Sequence, residues 1–244
     1  MQRLRSAGLV WPLVLALPAL LILLALGTWQ MQRKEWKEGL IAQIAARVHQ
    51  PPVSLGAVEK QSPSEIEYAR VKVRGTFWHE GEQLLWEPDP RQGPGYHVYA
   101  PLQLDDGRFM LVNRGYVTEA MRAPSARAQG QLAGQVEITG LLRTPPQRGT
   151  FDPDRDPKTG VWYWRDLAGM TETALGVDAG KAVRLFLDAE AAPANPGGWP
   201  QGGVTRLTLP NRHLEYALTW YGLAGTLVVV LIAFVISRLR ARPA

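Results

Sequence analysis

"YALTWYGLAGTLVVVLIAFVIS", Tyr216 to Ser237, contains no Asp, Glu, Lys or Arg. A helix rises about 1.5 Å per residue, so about twenty apolar residues cross the roughly 30 Å hydrocarbon core of a bilayer. A second run, "LVWPLVLALPALLILLALG", Leu9 to Gly27, meets the same test at the other end of the chain. What lies between is long enough for one domain with its own core. The two runs decide the class: an α+β membrane protein in which two transmembrane helices flank one extramembrane domain. The expected organisation is a tail at 1–8, a first span at 9–28, the domain at 29–213, a second span at 214–237 and a tail at 238–244.

The chain of 244 residues carries 27 basic and 22 acidic side chains, a net charge of +5. Arg3, Arg5, Arg238, Arg240 and Arg242 sit in ends that hold no acid, and they account for the whole excess. The charge therefore reports topology, and no nucleic-acid partner is expected. Basic flanks stay on the cytoplasmic side, which puts the end of the second span there. Arg33, Lys34 and Lys37 follow the first span as closely as Arg3 and Arg5 precede it, so that span does not orient itself. Two spans and an inside C-terminus nevertheless require an inside N-terminus and an outward domain. Ala25-Leu26-Gly27 offers a competing reading, because small residues stand where a signal peptidase reads. The apolar run exceeds the usual h-region, however, and Trp29-Gln30 continue a helical pattern, which favours an uncleaved anchor.

The chain has no cysteine, which excludes disulfides, thiolate catalysis, iron–sulfur ligation and haem attachment through Cys-x-x-Cys-His. With an N-terminal tail too short for an organelle presequence, the expected home is a bacterial inner (plasma) membrane. Both termini would be cytoplasmic and the main domain periplasmic.

Helical spacing of Trp29, Trp36 and Leu40 carries the first helix on to Val48, where Pro51-Pro52 ends it. At Tyr68 the period changes to two: Ala69, Val71, Val73 and Phe77 alternate with Arg70, Lys72 and Arg74. Further strands are expected at Gln83–Trp86, Tyr96–Leu104, Phe109–Val117, Gln135–Leu142, Val183–Asp188 and Gly203–Leu209. Asp106-Gly107 between two apolar runs predicts a hairpin, and Asp166 to about Leu175 a helix stopped by Gly176. Thr118–Leu132 and Ala191–Gly202 read as surface loops. The domain is thus expected to be β-rich, a small open barrel or a sandwich, with one or two helices.

No catalytic signature is present: there is no Gly-x-Ser-x-Gly, His-Glu-x-x-His or phosphate-cradling loop, so an enzyme is not expected. "DPDRDPKTG", Asp152–Gly160, opens like a calcium loop but has Pro157 and Tyr163 where Gly and Glu are required, and reads as a solvated acidic turn. "VWYWRDL", Val161–Leu167, puts Trp162 and Trp164 on one face, which favours packing over a contact surface. In "LVNRGYV", Leu111–Val117, Gly115 suggests a bulge or close approach, and Arg114 is either structural or an exposed anion contact. His49, His79 and His97 read as surface or satisfied imidazoles.

His213 differs. Pro210-Asn211 is a helix start with Asn211 able to cap, so His213 falls in the first turn at the outward mouth of the second span. Ala217, Trp220 and Ala224 share its face; the alanines would leave room beside the ring and Trp220 a flat wall. Such a face can flank a planar macrocycle whose iron takes an imidazole ligand, or the ring can hydrogen-bond headgroups or the domain.

"LGTWQMQRKEWKEGLI", "YARVKVRGTF", "GYHVYAPL", "DGRFMLVNRGYV" and "PNRHLEYALTWYGLA", in this order, resemble the Surfeit-locus-one family of cytochrome c oxidase assembly proteins. The resemblance covers almost the whole chain. It implies a non-enzymatic assembly factor, or chaperone, of the respiratory chain that binds haem a and passes it to the catalytic subunit of the oxidase. Haem a synthase is a candidate partner, and a scaffold that stabilises an oxidase intermediate without haem is the alternative. On the family pattern His213 would be the axial ligand of the haem iron. Tyr216 and Trp220 would then line the porphyrin, while charge complementarity offers Gln30 and Arg33 to the propionates.

Overall fold

The computed structural model describes residues 10–207 and 209–240. The expected tail at 1–8, with Arg3 and Arg5, the first residue of the first span, and Arg242 all lie outside these. The chain divides into two compact units, Ile44–Arg206 and a pair of helices built from the residues on either side.

The helical unit contains α1 (Val10–Val48) as far as Gln43 and α5 (His213–Arg240), both helices long and apolar enough to cross a membrane. Pro18 lies inside α1 without ending it, although it removes one intrahelical donor. The sheltered positions repeat at 3.5-residue spacing on both helices: Ala16, Leu20, Leu23, Gly27, Gln30 and Lys34 on α1, and His213, Ala217, Trp220, Ala224, Leu227 and Leu231 on α5. That period keeps one seam of each helix facing the other. Thr28 Oγ1 and Tyr221 Oη lie 3.2 Å apart, and Gly27 meets the Tyr221 ring so closely that a Cβ there would be 2.6 Å from it. Small residues at such a seam let two helices approach without a side chain between them.

The other unit is a barrel. Its strands are β1 (Val53–Ser54), β2 (Arg70–Phe77), β3 (Gln83–Trp86), β4 (Gly95–Leu104), β5 (Phe109–Thr118), β6 (Gln135–Arg143) and β7 (Ala182–Ala189). The short helices α2 (Leu55–Val58) and α3 (Pro63–Ile66) precede β2, and α4 (Leu167–Leu175) precedes β7. Five strands close in the order β2-β6-β7-β5-β4 and back to β2, while β1 lies beside β2 and β3 beside β4. Closure rests on Gly75↔Leu104, Thr76↔Gln103 and Phe77↔Leu102, so the barrel is closed rather than open and is not a sandwich. Gly75 is needed at that joint, because a Cβ would fall 2.1 Å from the Gln103 carbonyl oxygen.

Val71, Val73 and Phe77 face the barrel interior with Leu102, Met110, Val112, Leu142 and Leu187. β4 and β5 are buried on their outer face as well, where Tyr99, Leu111 and Phe186 pack under Trp162, Leu167 and Met170. Burial on both faces explains why these two strands read as nearly continuous apolar runs. The β4–β5 hairpin turns at Asp106-Gly107, with Gly107 at φ +82°, and α4 is capped by Asp166 and stopped at Gly176 as expected. The two expected loops, Thr118–Leu132 and Ala191–Gly202, contain short 3-10 turns.

One expected strand is not found among the described residues. Among the described residues, Gly203–Leu209 has no strand pairing. Gly203 stands at φ +75°, which breaks the extended run, and the segment is tied by single bonds: Gly203 N–H to Ala189 O at 2.9 Å and Thr205 Oγ1 to Asp188 Oδ2 at 2.9 Å. The edge of β5 that it might have paired is occupied at Tyr116 by Gln201 through two 2.9 Å backbone bonds. Gly115, at φ +125°, sits beside a register shift in β5 and against the Gln201 carbonyl, so it serves both as bulge and as close approach.

Candidate functional site

α5 begins at His213, so Asn211 lies outside its N-cap position and does not cap it. The Asn211 Oδ1 is buried without a hydrogen-bond partner among the described residues. The chain is instead fastened at this point by Lys37 Nζ, which donates to the carbonyl of Pro210.

His213 and Gln30 meet across the seam: Nδ1 and the amide oxygen Oε1 are 2.7 Å apart. An amide oxygen only accepts, so Nδ1 carries the ring proton and donates it. Nε2 then holds a free lone pair, and it has no hydrogen-bond partner among the described residues and is not sealed from solvent. A histidine that gives one N–H to a carbonyl oxygen and keeps the other nitrogen open is arranged as metal ligands are, with tautomer and ring orientation fixed by the second contact.

The remaining candidates divide between the seam and the surface. Ala217 and Ala224 are 1% and 3% exposed, so the room that their small side chains were expected to leave beside His213 is taken by helix packing. A planar group therefore has no place along the seam below the ring. Trp220 is half-buried there, with Nε1 buried and unpartnered among the described residues. Tyr216, three residues after His213, is 53% exposed and stands outside the packed stripe. Arg33 is exposed with its guanidinium carbon 4.0 Å from the Trp36 ring centroid. Gln30 serves the imidazole directly, a role its sequence neighbourhood did not signal.

In the barrel, the other sequence features have structural explanations. Asp156 accepts from Lys158 N and Thr159 Oγ1 at 2.8 and 2.7 Å, and Asp154 pairs with Arg148 at 2.6 Å, as befits an acidic turn. No group of three or more His, Asp or Glu fit for a metal ion occurs among the described residues. Trp162 is core and donates through Nε1 to Gln83 Oε1 at 2.9 Å. Arg114 is 2% exposed, which removes the reading of it as an exposed anion contact. His79 bonds Leu132 O at 2.8 Å, and His97 is buried beside Glu87 and Asn113. Sequence reasoning missed the pair Arg127–Glu82, whose side chains are 0% and 7% exposed, because Arg127 lies in a segment whose composition is that of a surface loop.

Residues 17–225, a span that includes Gln30, Arg33, His213, Tyr216 and Trp220, match the sequence model of the SURF1 family. The SURF1-like protein of Monosiga brevicollis is 37% identical over 235 residues, covering 91% of this chain and 85% of that protein. Surfeit locus protein 1 of Homo sapiens is 38% identical over 216 residues, covering 82% and 69%. The protein of the same name from Rattus norvegicus is 38% identical over 215 residues, covering 82% and 68%.

Proposed function

The chain belongs to the SURF1 family, and from that premise we propose that it is an assembly factor for cytochrome c oxidase that holds haem a at His213 and delivers it to the catalytic subunit. The observation that carries the haem reading is the 2.7 Å contact between Nδ1 of His213 and Oε1 of Gln30, which leaves Nε2 without a partner among the described residues. Bound haem would contribute an iron centre able to take an imidazole nitrogen as a ligand. The protein's own part is to fix the donor: Gln30 holds the proton on Nδ1, and α5 fixes the ring at its first turn. Tyr216 and Arg33, both exposed, would be free to line the porphyrin and to meet the propionates respectively, and half-buried Trp220 would support the packing beneath. With one protein ligand and no enclosing cage, the site suits transfer better than storage, and the factor needs no catalysis of its own.

The two apolar helices are compatible with a two-pass membrane protein, and on this reading it sits in the bacterial inner membrane with both termini cytoplasmic and the barrel periplasmic. Arg238 and Arg240 at the end of α5 support that orientation.

Complementation of a host strain lacking the chain tests the proposal. Wild type should restore haem a in the oxidase catalytic subunit and His213→Ala should not. Full restoration by His213→Ala would overturn the haem role and leave a scaffold that acts without the cofactor.

A further inference from the structure

Arg114 is buried on β5 with no anionic partner among the described residues. Its Nη2 donates to Gly130 O and, at 3.1 Å, to Asn195 Oδ1, and its guanidinium carbon lies 4.7 Å from the Phe77 ring centroid. Its Nη1 is buried with no partner among the described residues. None of these neighbours carries a charge. The ionic groups whose fields reach it are Glu82 and Arg127, and those two already pair, with Arg127 Nη1 donating to Glu82 Oε2 at 3.0 Å. Two buried arginines thus share one carboxylate, leaving one positive charge uncompensated. Burial pushes the Arg114 guanidinium down to about 10, the direction expected of a cation short of a counter-charge. An isolated buried charge is costly, and proteins pair such groups with an anion from the chain or from a ligand.

Arg114 also forms part of the wall of a pocket of about 360 Å³ between β6 and the segment that follows β7. The rest of that wall is largely apolar, with Leu132, Val136, Ile138, Pro193 and Ala194. Glu137 and Glu190 border it too, but each is taken: Lys72 lies 3.0 Å from Glu137, and Arg70 grips Glu190 through two bonds of 2.5 and 2.8 Å. Neither is available to Arg114. The volume falls within the roughly 300–1,000 Å³ of small-molecule sites, which combine apolar walls with a few polar anchors.

We infer that this pocket binds a small carboxylate on an apolar body, its anion facing Arg114 and its carbon skeleton against Leu132, Val136, Ile138 and Pro193. A single surplus charge matches a monoanion, and the planar guanidinium fork matches a carboxylate. A more heavily charged group would meet the apolar wall and the two glutamates.

The test is titration calorimetry on the full chain in lipid nanodiscs, with empty nanodiscs subtracted, using cyclohexanecarboxylate and its neutral isostere cyclohexanecarboxamide. The acid should bind at least about tenfold more tightly than the amide. Ala194→Trp fills the pocket from an exposed position with Arg114 untouched, and it should weaken the acid by at least about tenfold. Arg114→Met should remove the preference for the acid; if that variant does not fold, the ligand pair and Ala194→Trp decide alone. Absence of binding to wild type, equal affinity for acid and amide, or unchanged binding by Ala194→Trp would overturn the inference.

Discussion

Gln30 Oε1 lies 2.7 Å from Nδ1 of His213, so a residue of α1 sets the tautomer of an imidazole on α5. Replacing Gln30 by Leu keeps the approximate volume and removes the acceptor. Loss of such a supporting contact typically weakens a metal site by about 10–100-fold. Haem titration of purified Gln30→Leu, followed by absorbance, should show a fall in affinity of that order with the ligand still histidine. Affinity equal to wild type would mean that Gln30 does not tune the site.

Barrel closure depends on Gly75. A Cβ there would stand 2.1 Å from a backbone oxygen of β4, which a side-chain rotation cannot relieve. Gly75→Ala should destabilise the barrel by about 3 kcal/mol, at the upper end of overpacking costs. Denaturant unfolding followed by tryptophan fluorescence measures it, and a loss below about 1 kcal/mol would show that the β2–β4 joint opens easily.

The pair Arg127–Glu82 is fully enclosed, and Glu82→Gln would leave two buried arginines with no anion between them. Breaking one side of a buried pair costs about 3–5 kcal/mol. The same unfolding measurement on Glu82→Gln should register a loss of that size. Little change would indicate that the cations find solvent or another partner.

Much of this architecture was legible because its causes are local. The two helices announce themselves by apolar length, the β4–β5 hairpin by Asp106-Gly107, α4 by Asp166 and Gly176, and β2 by its alternation. What escaped depends on long-range closure. The β2–β4 joint has no local signal, since Gly75 is only a glycine in a strand until Gln103 stands against it. Gly203–Leu209 reads as a strand from its sequence, yet Gln201 already occupies the adjoining edge of β5. At the site, His213 stood out by position, but its stripe is the helix seam: small residues that could make room for a ligand also let another helix in. The likeness to a family pointed to haem; the partnership of His213 with Gln30 required the fold.

His97 gives the barrel a pH dependence. It lies 3.3 Å from Glu87 and 3.4 Å from Asn113, and burial holds its imidazole below the usual histidine range despite the opposing pull of Glu87 and Asp188. Arg206 and Arg165 also face it and act in the same direction as burial. The unfolded chain therefore takes up a proton at higher pH than the folded one. Stability present above the ordinary histidine value of about 6.5 is lost as pH falls below it. Unfolding of wild type and His97→Gln from about pH 7.5 to about pH 5 should give a shallower slope for the variant. Parallel slopes would assign the dependence to other groups.

The most direct measurement of the central claim is the absorption spectrum of the full chain purified from membranes that make haem a, compared with His213→Ala prepared identically. Wild type should carry haem a with an imidazole-ligated spectrum, and His213→Ala should lose the haem or that signature while the barrel stays folded. A wild type that copurifies without haem, or a variant with an unchanged spectrum, would contradict the account.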